Sequence, residues 1–486
     1  MFRHLAYLRI LRWLALFLIL IVVLASVGGY FWLRQTDLTK LFNSPLVQEQ
    51  IKKKLGEEQG DWVALLPRLL GFTKPLTYLV LLENNTELRP GGGFIGTYAV
   101  VRADSGKISV LAVDGSENLD REAPVDWKPK APAVLEEHLD VDRWYFRDAN
   151  WSPDFAESAK KVLELYQGEN GPAAADIEVV IALTPTVIEE LMQFTGPIVV
   201  EGLEFTKENL VEKLEYEVEY AYVDKGKHFT QRKDIIEPLM LALMNRLKIN
   251  AWSSWEQYGK LFVRLAAEGQ IVGYAREADL QAQLEKNGWA GRLQNSTGDY
   301  LCWIDANLAA LKTDQAIKRV LDYSLVPQAD GRWLAKAEMT YIHNGKFDWR
   351  TTRYRTYARI FVPAGSELVA AEGMLAWDRT TKKGEVDKGE ELGKTWFGAF
   401  TSVEPGKVGR LSFTYLLPPS FSSSSEVYTL FVQKQLGVRQ TGLTLNLDFG
   451  KNIKRASPAE AEANWHDGRY ELFTGLETNQ EFLVEF

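Results

Sequence analysis

TELRPGGGFIGTYAVV, residues 86–101, decides how the first half of this chain is read. Its glycines at 91, 93 and 96 satisfy the G-x-G-x-x-G pattern of a dinucleotide loop. That pattern binds a pyrophosphate only when a strand precedes it and a helix follows, because the helix N-terminus holds the phosphates. The preceding LTYLVLLEN (76–84) reads as a strand, but so does the following FIGTYAVVRA (94–103), which is β-branched and aromatic and runs into the turn DSGK (104–107) and then ISVLAV (108–113). A hairpin follows the glycines, so no nucleotide is expected there.

Further along, helices alternate with short strands. SPDFAESAKKVLELYQG (152–168) is followed by the strand EVVIAL (178–183), then by a helix with Thr184 as N-cap, Pro185 at the first helical position and Gly196 as stop. TKENLVEKLEYEVEYAY and DIIEPLMLALMNRLK continue as amphipathic helices, the second with Ile236, Leu239, Leu243 and Leu247 at core spacing. Mixed elements of this kind predict an α/β (α+β) domain over 76–312. From 313 to 486 strands dominate. RWLAKAEMTYIHNGKF alternates and meets an Asn-Gly turn, and RYRTYARIFVP, GRLSFTYLLP, VYTLFVQKQ and GLTLNLDFG follow, which predicts an all-β sandwich.

The N-terminus predicts location. Trp13–Leu33 is an uncharged run long enough for one transmembrane helix, and Arg3, Arg9 and Arg12 precede it. Positive charge stays inside, so residues 1–34 form a cytoplasmic tail and anchor, and everything beyond lies outside the cell membrane. A cleaved secretory signal is the alternative and gives the same compartment. Residues 35–75 read as a juxtamembrane helical stalk, with Ser44, Pro45 and Gly56 as its punctuation.

Composition narrows the chemistry. The 486 residues are 46% hydrophobic and 25% charged, an ordinary globular balance. A net charge of −9 argues against nucleic acid as a partner, which requires a basic face. Cys302 is the only cysteine, so no internal disulfide forms. The five histidines are scattered, with no zinc-binding H-E-x-x-H, and neither zinc nor haem is expected. GEELGKT (389–395) is one residue short of a phosphate loop and lies among strands.

What remains is polar residues in apolar surroundings. ENNTELRPGGG (83–93) sets Asn85, Glu87 and Arg89 before Gly91, Gly92 and Gly93, whose N–H groups form either an anion nest or simply a wide loop. WYFRDANWSPDF (144–155) packs Arg147, Asp148, Asn150 and Asp154 between aromatics, either as a site or as caps of the next helix. Arg232 and Lys233 precede a helix, the unfavourable end for cations, so either an external phosphate or a neighbouring carboxylate should offset them.

These stretches, with ALTPTVIEELMQFTGPIVV and ARIFVPAGSEL, resemble the bacterial family called domain of unknown function 4012. The order of elements more remotely resembles the LytR-CpsA-Psr envelope enzymes, which move glycopolymers from a polyprenyl-pyrophosphate carrier to the cell wall. That resemblance implies a membrane-anchored cell-envelope protein that binds or transfers a polyprenyl-phosphate glycan or cell-wall polymer. Arg89, Arg232 and Asp148 would be catalytic; Asn85, Glu87, Gly91, Gly92, Gly93, Arg147 and Lys233 would bind substrate; Asp114 would hold Mg²⁺. The sequence departs from that family after the hairpin, where AVDGSENLD carries no arginine. The alternative function is non-enzymatic adhesion or glycan binding, with some of the 15 tryptophans stacking on sugars.

Overall fold

The computed structural model describes residues 65–226, 232, 235–421, 425–465 and 467–486, with Glu49 and Lys53. The anchor at 13–33, most of the stalk and Lys233 lie outside the described residues. Among the described residues no helix is long and apolar enough to cross a membrane.

The first unit is built on a five-stranded sheet. In chain order its strands are β1 (Leu76–Arg89), β2 (Gly92–Asp104), β3 (Lys107–Gly115), β4 (Val179–Leu183) and, after a small hairpin of β5 (Ile198–Val200) and β6 (Leu203–Phe205), β7 (Ile271–Ala275). The order is β3-β2-β1-β4-β7, with β1 and β4 parallel and the other pairs antiparallel. The DSGK turn is a two-residue connection in which Ser105 (φ 53°) and Gly106 (φ 78°) both take the left-handed conformation that suits the twist of a hairpin. β1 and β2 form a second hairpin across Pro90 and Gly91, so strands flank the glycines on both sides and the dinucleotide reading is excluded.

Helices cover both faces of this sheet: α1 (Ser116–Glu122), α2 (Ala133–Leu139), α3 (Phe155–Gly168), α4 (Pro185–Thr195), α5 (Leu210–Tyr216), α6 (Ile236–Ala267) and α7 (Ala278–Lys286). Alternation along β1 divides the core. Tyr78 and Val80 pack with α4, α6 and α7, while Leu79 and Leu81 pack with α3 on the opposite face. Leu239 and Leu243 are buried as their spacing predicts; the side chains of Ile236 and Leu247 lie outside the described residues. Leu65, Leu66 and Leu70, at the end of the expected stalk, are part of the same core.

The second, β-rich unit has its first strand starting at Asp299, ahead of residue 313. Its strands are β8 (Asp299–Asn307), β9 (Ile317–Pro327), β10 (Trp333–His343), β11 (Tyr354–Pro363), β12 (Glu367–Glu372), β13 (Asp387–Glu391), β14 (Lys394–Val403), β15 (Val408–Leu416), β16 (Val427–Gln433), β17 (Gly442–Asp448), β18 (Arg455–Ser457), β19 (Arg469–Gly475) and β20 (Gln480–Glu485). They form a six-stranded sheet, β12-β15-β10-β9-β17-β19, and a seven-stranded sheet, β13-β14-β11-β8-β16-β20-β18. One core draws on both: Tyr323, Leu325, Ala337 and Met339 from the first sheet meet Trp303, Ile360, Leu430 and Val432 from the second. The Asn344-Gly345 pair does not close a hairpin. β10 pairs with β9 and β15, and the chain leaves it to enter the other sheet at β11.

Candidate functional site

The end of β1 sits at the junction of the two units. Between Asn84, opposite Phe94, and Leu88, opposite Gly93, the strand bulges and sets residues 85–87 outside the ladder. Across the junction the Leu88 amide donates to Asp314 Oδ2 (3.0 Å), Gln435 Nε2 donates to the Arg89 carbonyl (3.2 Å), and Asn85 Nδ2 donates to the Gly437 carbonyl (2.9 Å).

The glycine loop does hold a carboxyl group, and it belongs to the chain itself. The Glu83 carboxylate accepts from the Gly93 amide (3.1 Å) and from Asn150 Nδ2 (2.9 Å), while the Gly91 amide donates to the Asn150 carbonyl (2.9 Å). Burial pushes Glu83 up to about 8, against these two hydrogen bonds. Gly92 has φ 140° and lies against that carboxylate.

Arg89, Glu87, Asp148 and Arg147 come together. Arg89 is 2% exposed: Nε donates to Asp148 Oδ1 (2.8 Å), Nη1 to the carbonyls of Asn307 (2.8 Å) and Leu88 (3.2 Å), and Nη2 to Glu87 Oε1 (3.3 Å). Arg147 lies 3.7 Å from Asp148 Oδ2, donates to Asp120 Oδ2 (3.1 Å) and stacks on Tyr145. Four of the five N–H groups of Arg89 are matched to groups of this chain. Asp154 caps α3, accepting from the Glu157 amide (3.2 Å), and also binds Arg292.

Asp114 and Arg232 stand apart from this cluster in their bonding. Asp114 accepts from Asn118 Nδ2 (2.6 Å) and the Gly115 amide (2.7 Å), which fastens the start of α1 to β3. Arg232 pairs with Glu117 (2.9 Å) and Glu219 (3.3 Å), so carboxylates of the chain itself face this cation. Among the described residues no three His, Cys, Asp or Glu side chains converge as a metal site. Asp148 is held by two guanidiniums, and Asp114 by Asn118 and the Gly115 amide.

A chain of charge continues from Arg147 to a pair that sequence reading missed. Asp120 and Glu169, each 2% exposed, hydrogen-bond to one another. Asp120 Oδ1 and Glu169 Oε2 are buried with no donor aimed at either, an arrangement that one proton held between the two carboxyls would satisfy. Desolvation pushes Asp120 to about 6, while burial and the Asp120 charge push Glu169 to about 8. The fold prefers the protonated form, so this contribution to stability is complete below about pH 4.5 and is lost as pH rises through about 8. Glu169→Gln places an N–H where that proton sits and keeps an acceptor for the Phe146 amide. The expected result is a gain of about 1–2 kcal/mol at pH 8.5 and a flatter dependence of denaturation midpoint on pH; an unchanged pH profile would contradict the shared proton.

Beside Asn85 a cleft of about 420 Å³ opens between the units. Asn85, Glu189, Glu208 and Glu212 line it from the first unit, and Asp314, Lys318, Arg319, Arg350, Arg439 and Gln440 from the second. Its arginines are paired: Arg319 with Asp305 (2.8 Å) and Asp314, Arg350 with Glu215 (2.6 Å), and Arg439 with Glu189. The second-unit residues carried no local signal, because only the packing of the turn at Thr313–Ala316 and the 437–440 loop against β1 brings them here.

Residues 73–219 match the model of a family described as protein of unknown function (DUF4012). No curated protein matches the chain. Among solved structures, a candidate nutrient binding protein of Legionella pneumophila shares 10% identity over 39% of this chain and 72% of its own, with a TM-score of 0.25. An M1 zinc metallopeptidase of Deinococcus radiodurans shares 12% identity over 35% of this chain and 42% of its own, with a TM-score of 0.15. Overlaps this slight carry neither fold nor activity to this chain.

Proposed function

We propose that this chain is a membrane-anchored cell-envelope protein, its N-terminus in the cytoplasm and its bulk outside, that binds a glycan in the cleft between its two units without transferring it. The anchor rests on the apolar run at 13–33 behind Arg3, Arg9 and Arg12. A reporter fused after Phe486 should therefore be active only outside the cytoplasm, and cytoplasmic activity would overturn the location.

The observation that carries the ligand class is the cleft's lining: side chains from both units, rich in hydrogen-bonding edges, with every arginine already neutralised by a carboxylate. Such a surface, where Lys318 is outnumbered by Glu208 and Glu212, suits hydroxyl-rich neutral ligands, whereas a pyrophosphate needs several fixed positive charges to spare. A polyprenyl-pyrophosphate carrier would further call for an apolar channel opening on Arg89 and Arg232, and neither residue lines this cleft.

The test is calorimetry on the full chain in detergent, with neutral β-linked gluco- and N-acetylglucosamino-tetraoses set against a polyprenyl-pyrophosphate analogue with Mg²⁺. Arg439→Ala with Gln440→Ala should weaken tetraose binding roughly tenfold. Mg²⁺-dependent binding of the analogue, with none of the tetraoses bound, would replace this reading with the lipid-carrier one.

A further inference from the structure

Alongside the cleft the helix of α5 does not end at Tyr216. It continues as a π turn over Glu217–Ala221 and runs to Asp224. π turns are uncommon and tend to mark functional positions. This one turns Val218 and Ala221 inward and leaves Tyr216 and Tyr220 on the surface, 43% and 46% exposed. The two rings lie nearly parallel (18°) with centroids 6.1 Å apart. Trp349, from the other unit, stands edge-on to both, at 5.5 and 5.3 Å.

This trio adjoins the cleft through Arg350. Arg350 lines the cleft, lies 5.5 Å from the centre of the Trp349 ring, and pairs with Glu215, which precedes Tyr216. Two exposed tyrosine rings braced by a half-buried tryptophan form a contiguous aromatic patch of the kind that marks a binding surface. Around the rings Glu212 and Glu215 are paired with Arg350, Glu217 with Lys225, and Glu219 with Arg232 and Lys312, so these cations are already matched and none of the four is spare for an anionic polymer. A pyranose ring presents C–H groups on one face, which suit the electron-rich face of an aromatic ring, and hydroxyls at its edge, which suit the polar cleft.

We infer that Tyr216, Tyr220 and Trp349 form a stacking platform that extends the cleft and selects neutral pyranose units over phosphate-bearing polymers. This rests on the cleft reading and adds a second subsite to it.

The experiment uses the full chain in detergent with the same neutral tetraoses, and poly(glycerol phosphate) as the anionic comparator. Tyr220→Ala is expected to weaken tetraose binding roughly three- to tenfold, and Tyr220→Phe, which keeps the ring, to retain it. Trp349→Ala should act in the same direction with its melting temperature checked, and Trp349→Phe should restore part of the affinity. Poly(glycerol phosphate) should bind weakly in every variant. Unchanged tetraose affinity in Tyr220→Ala and Trp349→Ala, alongside the loss in Arg439→Ala with Gln440→Ala, would remove the platform and leave the cleft standing. Unchanged affinity in all of these variants would remove the cleft and the platform together. Stronger binding of poly(glycerol phosphate) than of the tetraoses would overturn the selectivity.

Discussion

Arg89→Ala should destabilise the protein by about 3–5 kcal/mol, the range for breaking a buried ion pair by removing one partner. The substitution leaves Asp148, 3% exposed, beside Arg147 alone, and removes the donors that hold the carbonyls of Leu88 and Asn307. Asn307 ends β8, so the loss is felt across the junction of the two units as well as within the first. Arg89→Lys should recover only part of it, because an ammonium cannot fork toward Asp148 and the Asn307 carbonyl together. Urea denaturation measures the effect. A variant that melts like the parent would mean that Arg89 is held ready for a ligand and not committed to the fold.

Gly92→Val should be comparably damaging, costing about 3 kcal/mol or more. At φ 140° a β-branched side chain is strained whatever space surrounds it, and a Cβ there would stand 2.1 Å from Glu83 Oε2. Relief would mean moving a buried carboxyl away from the Gly93 amide and Asn150. Gly96→Ala is the control within the same motif. Its Cβ would meet nothing nearer than Phe94 at 3.9 Å, and its backbone is ordinary, so its effect should stay within about 0.5 kcal/mol. Neither NAD nor ATP should raise the melting temperature of the parent protein. Equal losses from the two glycine variants would show that the loop tolerates neither for some reason other than φ and Glu83.

Much of the local structure was written in the sequence by itself. The Ser105-Gly106 turn, the Thr184-Pro185 start and Gly196 stop of α4, the Asp154 cap of α3 and the alternation along β10 each depend on residues within a few positions of one another, and short-range sterics and hydrogen bonding decide such features. The polar stretches around Arg89 and Asp148 were also legible as unusual, since charge in apolar surroundings must be compensated by something. What compensates it was decided only in the tertiary structure. Glu83 fills the glycine loop, Asp148 and Glu87 take the charge of Arg89, and Glu117 and Glu219 that of Arg232. The Asn-Gly pair after β10 has hairpin chemistry, yet β10 finds its partners in β9 and β15. The cleft and its aromatic flank join residues 85, 216, 220, 349 and 439, which no local pattern links. Desolvation explains the difference: a buried charge takes the nearest partner that packing supplies, and packing here brings together β1, the sandwich and the π turn from distant parts of the chain.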